Sequence, residues 1–241
     1  MLLADKIKRL WNKAEGRLIG SKKYFFLSPS HYSLYHDAFP FFKKYVRATV
    51  VDIGAGRLGW KFLAEKFSSS YISADIKKCS GNQCIVADGK AMPFKDNSVN
   101  TVLCLQVLEH SRDPGLIFRE ISRIIQTGGY VVISFPHMSY IHSEPEDYFR
   151  FTVYGLKSIC PEELEVEIAS ESGGLLCFVF TPVFILYNSL FSQLPLVRTL
   201  AWGLSAILSV FIFWVDKFLG AKKLYPLNYI VALRKTQKKD G

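Results

Sequence analysis

The chain has 241 residues, 49% of them apolar, with 19 Phe, 12 Tyr and 4 Trp. That is enough to bury one full α/β core, and it excludes a disordered chain or a low-complexity filament. Lys and Arg outnumber Asp and Glu by 30 to 21, a net charge of +9, which favours anionic partners (nucleic acid, acidic lipid or an anionic substrate) without choosing among them.

In the N-terminal segment, 1–47, the apolar residues Leu3, Ile7, Leu10, Trp11, Ala14 and Leu18 recur at helical spacing, with Lys6, Lys8, Arg9, Lys13 and Arg17 on the other faces. Such a basic amphipathic helix either packs its stripe on the domain or lies on an anionic membrane surface. Asp5, Lys6, Lys8 and Arg9 interrupt any signal-peptide core. Ser28-Pro29-Ser30 reads as a turn, followed by a helix from His36 to Tyr45.

From Ala48 the pattern changes to short β-branched runs. Thr49–Ile53, Tyr71–Ala74, Gln83–Val86, Val99–Leu105 and Tyr130–Phe135 read as buried strands, with helices at Leu58–Phe67 and Pro114–Ile125 and a turn at Gly128-Gly129. Alternation of buried strands with helices predicts a parallel sheet covered by helices. The region 172–215 spans 44 residues with one charge, Arg198. Its second run, Thr199–Val215, has 17 residues and would extend only about 25 Å as a helix, short for a membrane span. The expectation is an apolar helical hairpin over 173–224 that docks shallowly in a bilayer; a buried helical cap and a true span are the alternatives. Asn228–Leu233 reads as a last strand before a basic tail. The five cysteines, Cys79, Cys84, Cys104, Cys160 and Cys177, form no CxxC and are not spaced with the histidines as zinc ligands. Reduced thiols and no metal site are therefore expected.

Asp52-Ile53-Gly54-Ala55-Gly56 runs from a strand into a glycine loop, where Gly54 and Gly56 permit a ligand's close approach to the backbone. The spacing also fits the dinucleotide fingerprint, with Asp75 placed 21 residues after Gly54 as a ribose-binding acid. Asp52 separates the two readings. A carboxylate beside the loop would repel a pyrophosphate but attract the ammonium and sulfonium of S-adenosylmethionine. Asp75 can accept the ribose hydroxyls and Asp88, after the third strand, the adenine amino group; all three acids sit at successive strand ends, where parallel sheets bind ligands.

Residues 48–135 resemble the class I S-adenosylmethionine-dependent methyltransferases, in a branch similar to methyltransferase type 11 with a C-terminal apolar helical insertion. The resemblance rests on Asp52-Ile-Gly-Ala-Gly, Ala74-Asp75, Ala87-Asp88-Gly89 with Met92-Pro93-Phe94, Gln106-Val-Leu-Glu-His110, Arg119-Glu120-Ile121 and Gly128-Gly-Tyr-Val-Val-Ile-Ser. Further on, the block from His142 to Thr152 and Pro226-Leu-Asn228-Tyr229 are similar to the segments that follow the fifth strand and re-enter the sheet in that branch. The resemblance implies a Rossmann-like, seven-stranded, mostly parallel sheet with an antiparallel last strand, helices on both faces, N-terminal helices over 1–47 and a methyltransferase domain over 48–241. It departs at Asn100, where the family usually carries Asp.

The matching positions give a cofactor-binding set of Asp52, Gly54, Ala55, Gly56, Asp75, Ile76, Ala87, Asp88, Gly89 and Gln106 for S-adenosylmethionine. Methyl transfer is an in-line displacement, so a base is needed only where the acceptor must lose a proton. His110 is the first candidate, His142 the second, with Asp147 completing the catalytic set and His137, Tyr148 and Arg150 contacting substrate. The charge-poor region and the basic N-terminal helix point to a small or lipid-linked acceptor (a glycan or quinone precursor) at the inner face of a membrane, for a cytoplasmic, peripheral enzyme. A nucleic-acid methyltransferase or binder fits the charge, but the lysines are dispersed and the fourth strand lacks the Asn/Asp-Pro-Pro-aromatic pattern of base methylation. A non-catalytic scaffold and a nicotinamide oxidoreductase are the remaining alternatives.

Overall fold

A computed structural model describes residues 3–57, 59–78 and 84–237. The chain divides into two compact units, one of Met1–Asp37 with Glu171–Leu227 and the other of Ala38–Ser170 with Asn228–Gly241. Of the N-terminal segment expected at 1–47, residues 1–37 share one unit with the apolar insertion expected at 173–224, while 38–47 belong to the other.

The second unit is built on seven strands: β1 (Thr49–Ile53), β2 (Ser70–Asp75), β3 (Cys84–Val86), β4 (Val99–Leu105), β5 (Ile125–Pro136), β6 (Leu164–Ser172) and β7 (Asn228–Lys235). Their order is β3-β2-β1-β4-β5-β7-β6. β1 pairs in parallel with β2 and β4, β2 with β3, and β4 with β5. β7 runs antiparallel to β5, with Val132 opposite Ala232, so the mostly parallel Rossmann-like sheet with a reversed last strand is present. Val50, Val51, Val102, Leu103 and Cys104 are fully buried, as continuous apolar strands in a helix-covered sheet must be. α4 (Pro114–Ile124) starts where the Asp113 side chain accepts from the Leu116 amide at 3.2 Å and Pro114 takes the first turn. It buries Ile117, Phe118, Ile121 and Ile124, each contributing about 1.5–3 kcal/mol of hydrophobic stabilisation.

Four expectations need correction. Gly128-Gly129 is not a turn but lies inside β5, where the register with β4 shifts between Val99 and Thr101. A Cβ on Gly129 would lie 2.8 Å from the Asn100 carbonyl oxygen, so glycine permits the two strands to meet there. The helix expected from Leu58 to Phe67 is reduced to α3 (Lys61–Ala64), with Leu58 outside the described residues. The helix expected from His36 is α2 (Pro29–Tyr45); it begins earlier because the Ser28 hydroxyl accepts from the His31 amide at 3.4 Å ahead of a first-turn proline. Cys84 is in a disulfide, whereas Cys104, Cys160 and Cys177 are free thiols. A bridge needs only Cα atoms about 5.5 Å apart, which sequence spacing does not reveal; Cys79 and Gln83 lie outside the described residues. Asn100, where the resemblance departs, hydrogen-bonds within the sheet: its side-chain oxygen accepts from the Thr49 amide at 3.2 Å.

The first unit holds α1 (Leu3–Gly16), α6 (Leu175–Phe191) and α7 (Pro195–Phe218), with α5 (Val153–Ile159) belonging to the other unit. The α1 stripe is packed: Trp11 and Leu18 cluster with Leu27, Ile185 and Trp202. α7 is 24 residues long, longer than the 17-residue run suggested, because Pro195 starts it before Arg198 and it continues past Asp216 and Lys217. It is long and apolar enough to cross a membrane. In α6 and α7 polar side chains share the interior with Phe184, Ala201 and Phe213. Thr181, Asn188, Ser189, Ser205, Ser209 and Asp216 are buried, while Val183, Leu190, Leu200, Ile207, Phe211 and Trp214 are exposed.

Candidate functional site

A cavity of about 530 Å³ opens in the second unit at the carboxyl ends of β1 to β4. Ile53 ends β1 and Gly54 follows it, Asp75, Ile76 and Lys77 close β2, and Ala87 to Lys90 follow β3. Gln106, Val107 and His110 to Arg112 follow β4, with Ile117 of α4 and Ser143, Glu146 and Tyr148 completing the wall. Of the expected residues, Gly54, Asp75, Ile76, Ala87, Asp88, Gly89, Gln106, His110 and Tyr148 line it together. Asp52, Ala55, Gly56, His137, His142, Asp147 and Arg150 do not.

The loop explains part of this division. Gly54 has a φ of +70°, and a Cβ there would come 2.5 Å from Val107 Cγ2. The Gly54 and Ala55 amides donate to the Ala74 carbonyl at 2.8 and 3.1 Å, turning the chain back over the end of β2. Gly56 acts through Asp75: its amide donates to Asp75 Oδ2 at 2.9 Å, while the Lys77 amide donates to Oδ1 at 2.9 Å. The carboxylate is thereby fixed at the cavity wall with acceptor capacity to spare. Asp88 is held likewise by the Lys90 amide at 3.0 Å. A dinucleotide site needs a helix N-terminus directly behind the glycines for its pyrophosphate. Here α3 starts only at Lys61 and has four residues. A nucleoside without a pyrophosphate fits this loop better, and the paired acids Asp75 and Asp88 suit the hydroxyls and amino group of S-adenosylmethionine.

Asp52 corrects the argument that pointed to a cationic nucleoside. It is 2% exposed and accepts from the Tyr71 hydroxyl of β2. It sits within β1, before the strand ends, so its side chain meets the neighbouring strand and not the cavity. Burial pushes its carboxyl up to about 7, against the Tyr71 hydrogen bond that lowers it. His137 is also drawn away, its Nδ1 3.0 Å from the Phe151 carbonyl and its ring against Tyr229.

Asp147 and Arg150, expected in catalysis and substrate contact, form a two-pronged pair at 2.6 and 2.8 Å. The Arg150 hydrogen bonds hold the Asp147 carboxyl at about 2, so it does not carry a proton near neutral pH. Asp147 also accepts from the His142 amide at 2.8 Å, and Arg150 donates to the Tyr140 carbonyl at 2.9 Å. The pair therefore shapes the 140–150 loop. Tyr148 does reach the cavity, where its hydroxyl accepts from Arg112 Nε at 3.1 Å.

Sequence reasoning passed over Glu109. Its side chain is fully buried, and neither carboxyl oxygen has a hydrogen-bond partner among the described residues. Burial pushes its carboxyl up to about 8. His110 Nε2 lies 3.8 Å and His142 Nε2 4.0 Å from Glu109 Oε1, and the two rings meet edge to face at 4.9 Å. Burial lowers the His142 pKa, which favours the neutral ring. His142 is therefore part of the His110 cluster although it is off the cavity wall. The signal available in the sequence was the Glu109-His110 pair behind β4; its burial was not legible there.

A family model described as "Methyltransferase domain" matches residues 45–133. An uncharacterized methyltransferase of Mycobacterium sp. (strain JLS) is 29% identical over 96 residues, a match covering 36% of this chain and 38% of the relative. The matched stretch thus spans well under half of that relative's length. Among solved structures, the [4+2]-cyclase SpnF superposes with a TM-score of 0.56 at 12% identity, covering 85% of this chain and 81% of that one. A Haemonchus contortus phospholethanolamine N-methyltransferase 2, in complex with phosphomonomethylethanolamine and S-adenosylhomocysteine, superposes with a TM-score of 0.52 at 16% identity, covering 86% and 52%. At these identities the solved structures show the fold, and the family match carries the assignment. The glycine loop, the acids at the ends of β2 and β3 and this sheet order agree with that match: residues 45–133 carry a methyltransferase domain of the S-adenosylmethionine-dependent class.

Proposed function

We propose that the protein transfers a methyl group from S-adenosylmethionine to an amphiphilic acceptor at a membrane surface. The observation that carries the cofactor half is the placement of Asp75 and Asp88, each fixed by backbone amides, beside Gly54 on one 530 Å³ cavity. Asp75 accepts the ribose hydroxyls, Asp88 the adenine amino group, and Gly54 lets the nucleoside approach the backbone. S-adenosylmethionine supplies the methyl group and its own leaving group, so the chain's task is to orient the acceptor and exclude water. His110 on the cavity wall, with Glu109 and His142 behind it, is the group of side chains that activates an acceptor hydroxyl.

The acceptor half is supported by the first unit. Lipid cannot drive apolar faces together, so membrane-embedded helices pack through small and polar side chains and turn apolar ones outward. α6 and α7 have that arrangement, and an exposed apolar face of this extent marks an interaction surface. Lys217, Lys222 and Lys223 at the end of α7 suit an anionic headgroup layer.

Calorimetric titration of the detergent-solubilised full chain tests the cofactor assignment. S-adenosylmethionine binds saturably, NADH does not, and Asp75→Ala weakens binding at least about 10-fold, the loss of one or two charge-assisted hydrogen bonds. Wild-type binding of NADH but not of S-adenosylmethionine would overturn the assignment.

A further inference from the structure

The surroundings of Glu109 fix the protonation of both neighbouring imidazoles. His110 Nδ1 is within hydrogen-bond reach of the Glu146 carbonyl oxygen, and His142 Nδ1 is 3.3 Å from the Tyr140 carbonyl oxygen. A carbonyl only accepts, so each Nδ1 carries the hydrogen and donates it. In the neutral ring each Nε2 is then a bare lone pair, and both Nε2 atoms face Glu109 Oε1 at 3.8 and 4.0 Å. Three electron-pair donors converge on one point. A proton there would satisfy none of them, because those separations exceed hydrogen-bonding distance. Leaving the buried carboxyl unpartnered is costly, and both its oxygens have no partner among the described residues.

A metal ion fits this arrangement. With bonds of about 2.0–2.2 Å, two ligand atoms of a tetrahedral site lie about 3.4 Å apart, so the carboxylate at 3.8 and 4.0 Å from the two imidazoles needs to close by about half an ångström on each side to hold an ion. One ligand atom from each of Glu109, His110 and His142 lies within 4.8 Å of the others. Histidines whose Nδ1–H is tied to a carbonyl are the usual metal-binding form, since the second hydrogen bond sets both the tautomer and the ring orientation. Asp147 Oδ2, 3.5 Å from His142 Nδ1, adds a carboxylate behind one of them. We propose that Glu109, His110 and His142 bind a divalent transition-metal ion of the zinc class through one carboxylate oxygen and two Nε2 atoms.

Two histidines and one carboxylate leave at least one coordination position open, the pattern of catalytic sites and not of closed structural ones. Because His110 lines the cavity, the open position suits an oxygen ligand: water, or a hydroxyl of the acceptor. A cation there would favour the deprotonated form of that hydroxyl, its proton passing to water in the open cavity, so the three side chains activate the acceptor by holding the ion and not by taking the proton themselves. This catalytic use rests on the methyl-transfer reading; the capacity to hold the ion does not.

The test uses Co2+ as a spectroscopic probe on the full chain after chelator treatment. Stoichiometric d–d absorption of a four- or five-coordinate site is expected, displaced by Zn2+. His142→Asn, whose side chain is partly exposed, should keep the fold by circular dichroism and weaken Co2+ binding by at least about 100-fold, more than the 10–100-fold typical of outer-shell changes. Glu109→Gln should do the same. Asp75→Ala should keep the cobalt spectrum while losing S-adenosylmethionine, so failure of the metal site and failure of the cofactor assignment are read separately. Absence of a saturable band in wild type, or an unchanged band in folded His142→Asn, would overturn the proposal.

Discussion

Asp52 and Tyr71 form a buried pair whose behaviour with pH follows from its burial. Asp52 is held near 7 in the folded chain against about 3.8 when unfolded. Between those values the native state binds the extra proton, so its contribution to stability is largest at low pH and falls as pH rises toward 7, then levels off. Urea unfolding at pH 5 and pH 7.5 should show wild type losing more stability over that range than Asp52→Asn, by on the order of 2 kcal/mol. Tyr71→Phe removes the hydrogen bond that restrains the shift and should steepen the loss. Parallel wild-type and Asp52→Asn profiles would refute this account. The same pair shows a limit of reading sequence. The position of Asp52 before the glycines was legible, but whether its carboxyl met a ligand or a tyrosine depended on Tyr71, 19 residues away on the next strand.

At the level of elements, α6 and α7 are joined through Asn188. Its side-chain amide donates to the Leu27 and Phe184 carbonyls at 3.1 Å each and to Ser205 Oγ at 3.0 Å. Asn188→Leu strands those acceptors in a buried seam and should cost about 2–4 kcal/mol, read as a lowered thermal midpoint in micelles. Val183→Ala on the exposed face of α6 should cost under about 0.5 kcal/mol. Equal effects would mean the polar seam does not hold the helices together. The strands β1 and β4 were legible to the residue because their apolar runs are buried on both sides. α2 and α3 were misjudged because capping at Ser28 and the turn behind Gly56 outweigh apolar periodicity. Glu109 was missed because a sequence gives a carboxylate's identity but not its isolation.

For the whole molecule, the exposed apolar face of α6 and α7 makes a prediction about partition. The full chain should float with anionic phospholipid vesicles, and less with zwitterionic ones, because the lysines after α7 add electrostatic attraction. Replacing the exposed Leu200, Ile207 and Phe211 of α7 by Asp should release it from both without unfolding it, since those side chains face outward. A wild-type chain that stays monomeric and soluble without detergent, and ignores both vesicles, would remove the membrane from the proposed function. The net charge of +9 alone did not single out lipid; the proposal of a membrane surface rests on the exposed apolar side chains of α6 and α7.

The place of β7 has a consequence for biosynthesis. It lies between β5 and β6, yet it is made after all of the first unit's second segment, Glu171–Leu227. On the ribosome, β5 and β6 therefore wait without the strand that joins them while the apolar helices emerge, a state with open strand edges. The order of synthesis delivers α6 and α7 to their surroundings first, and the sheet behind the cavity closes only when the last strand arrives.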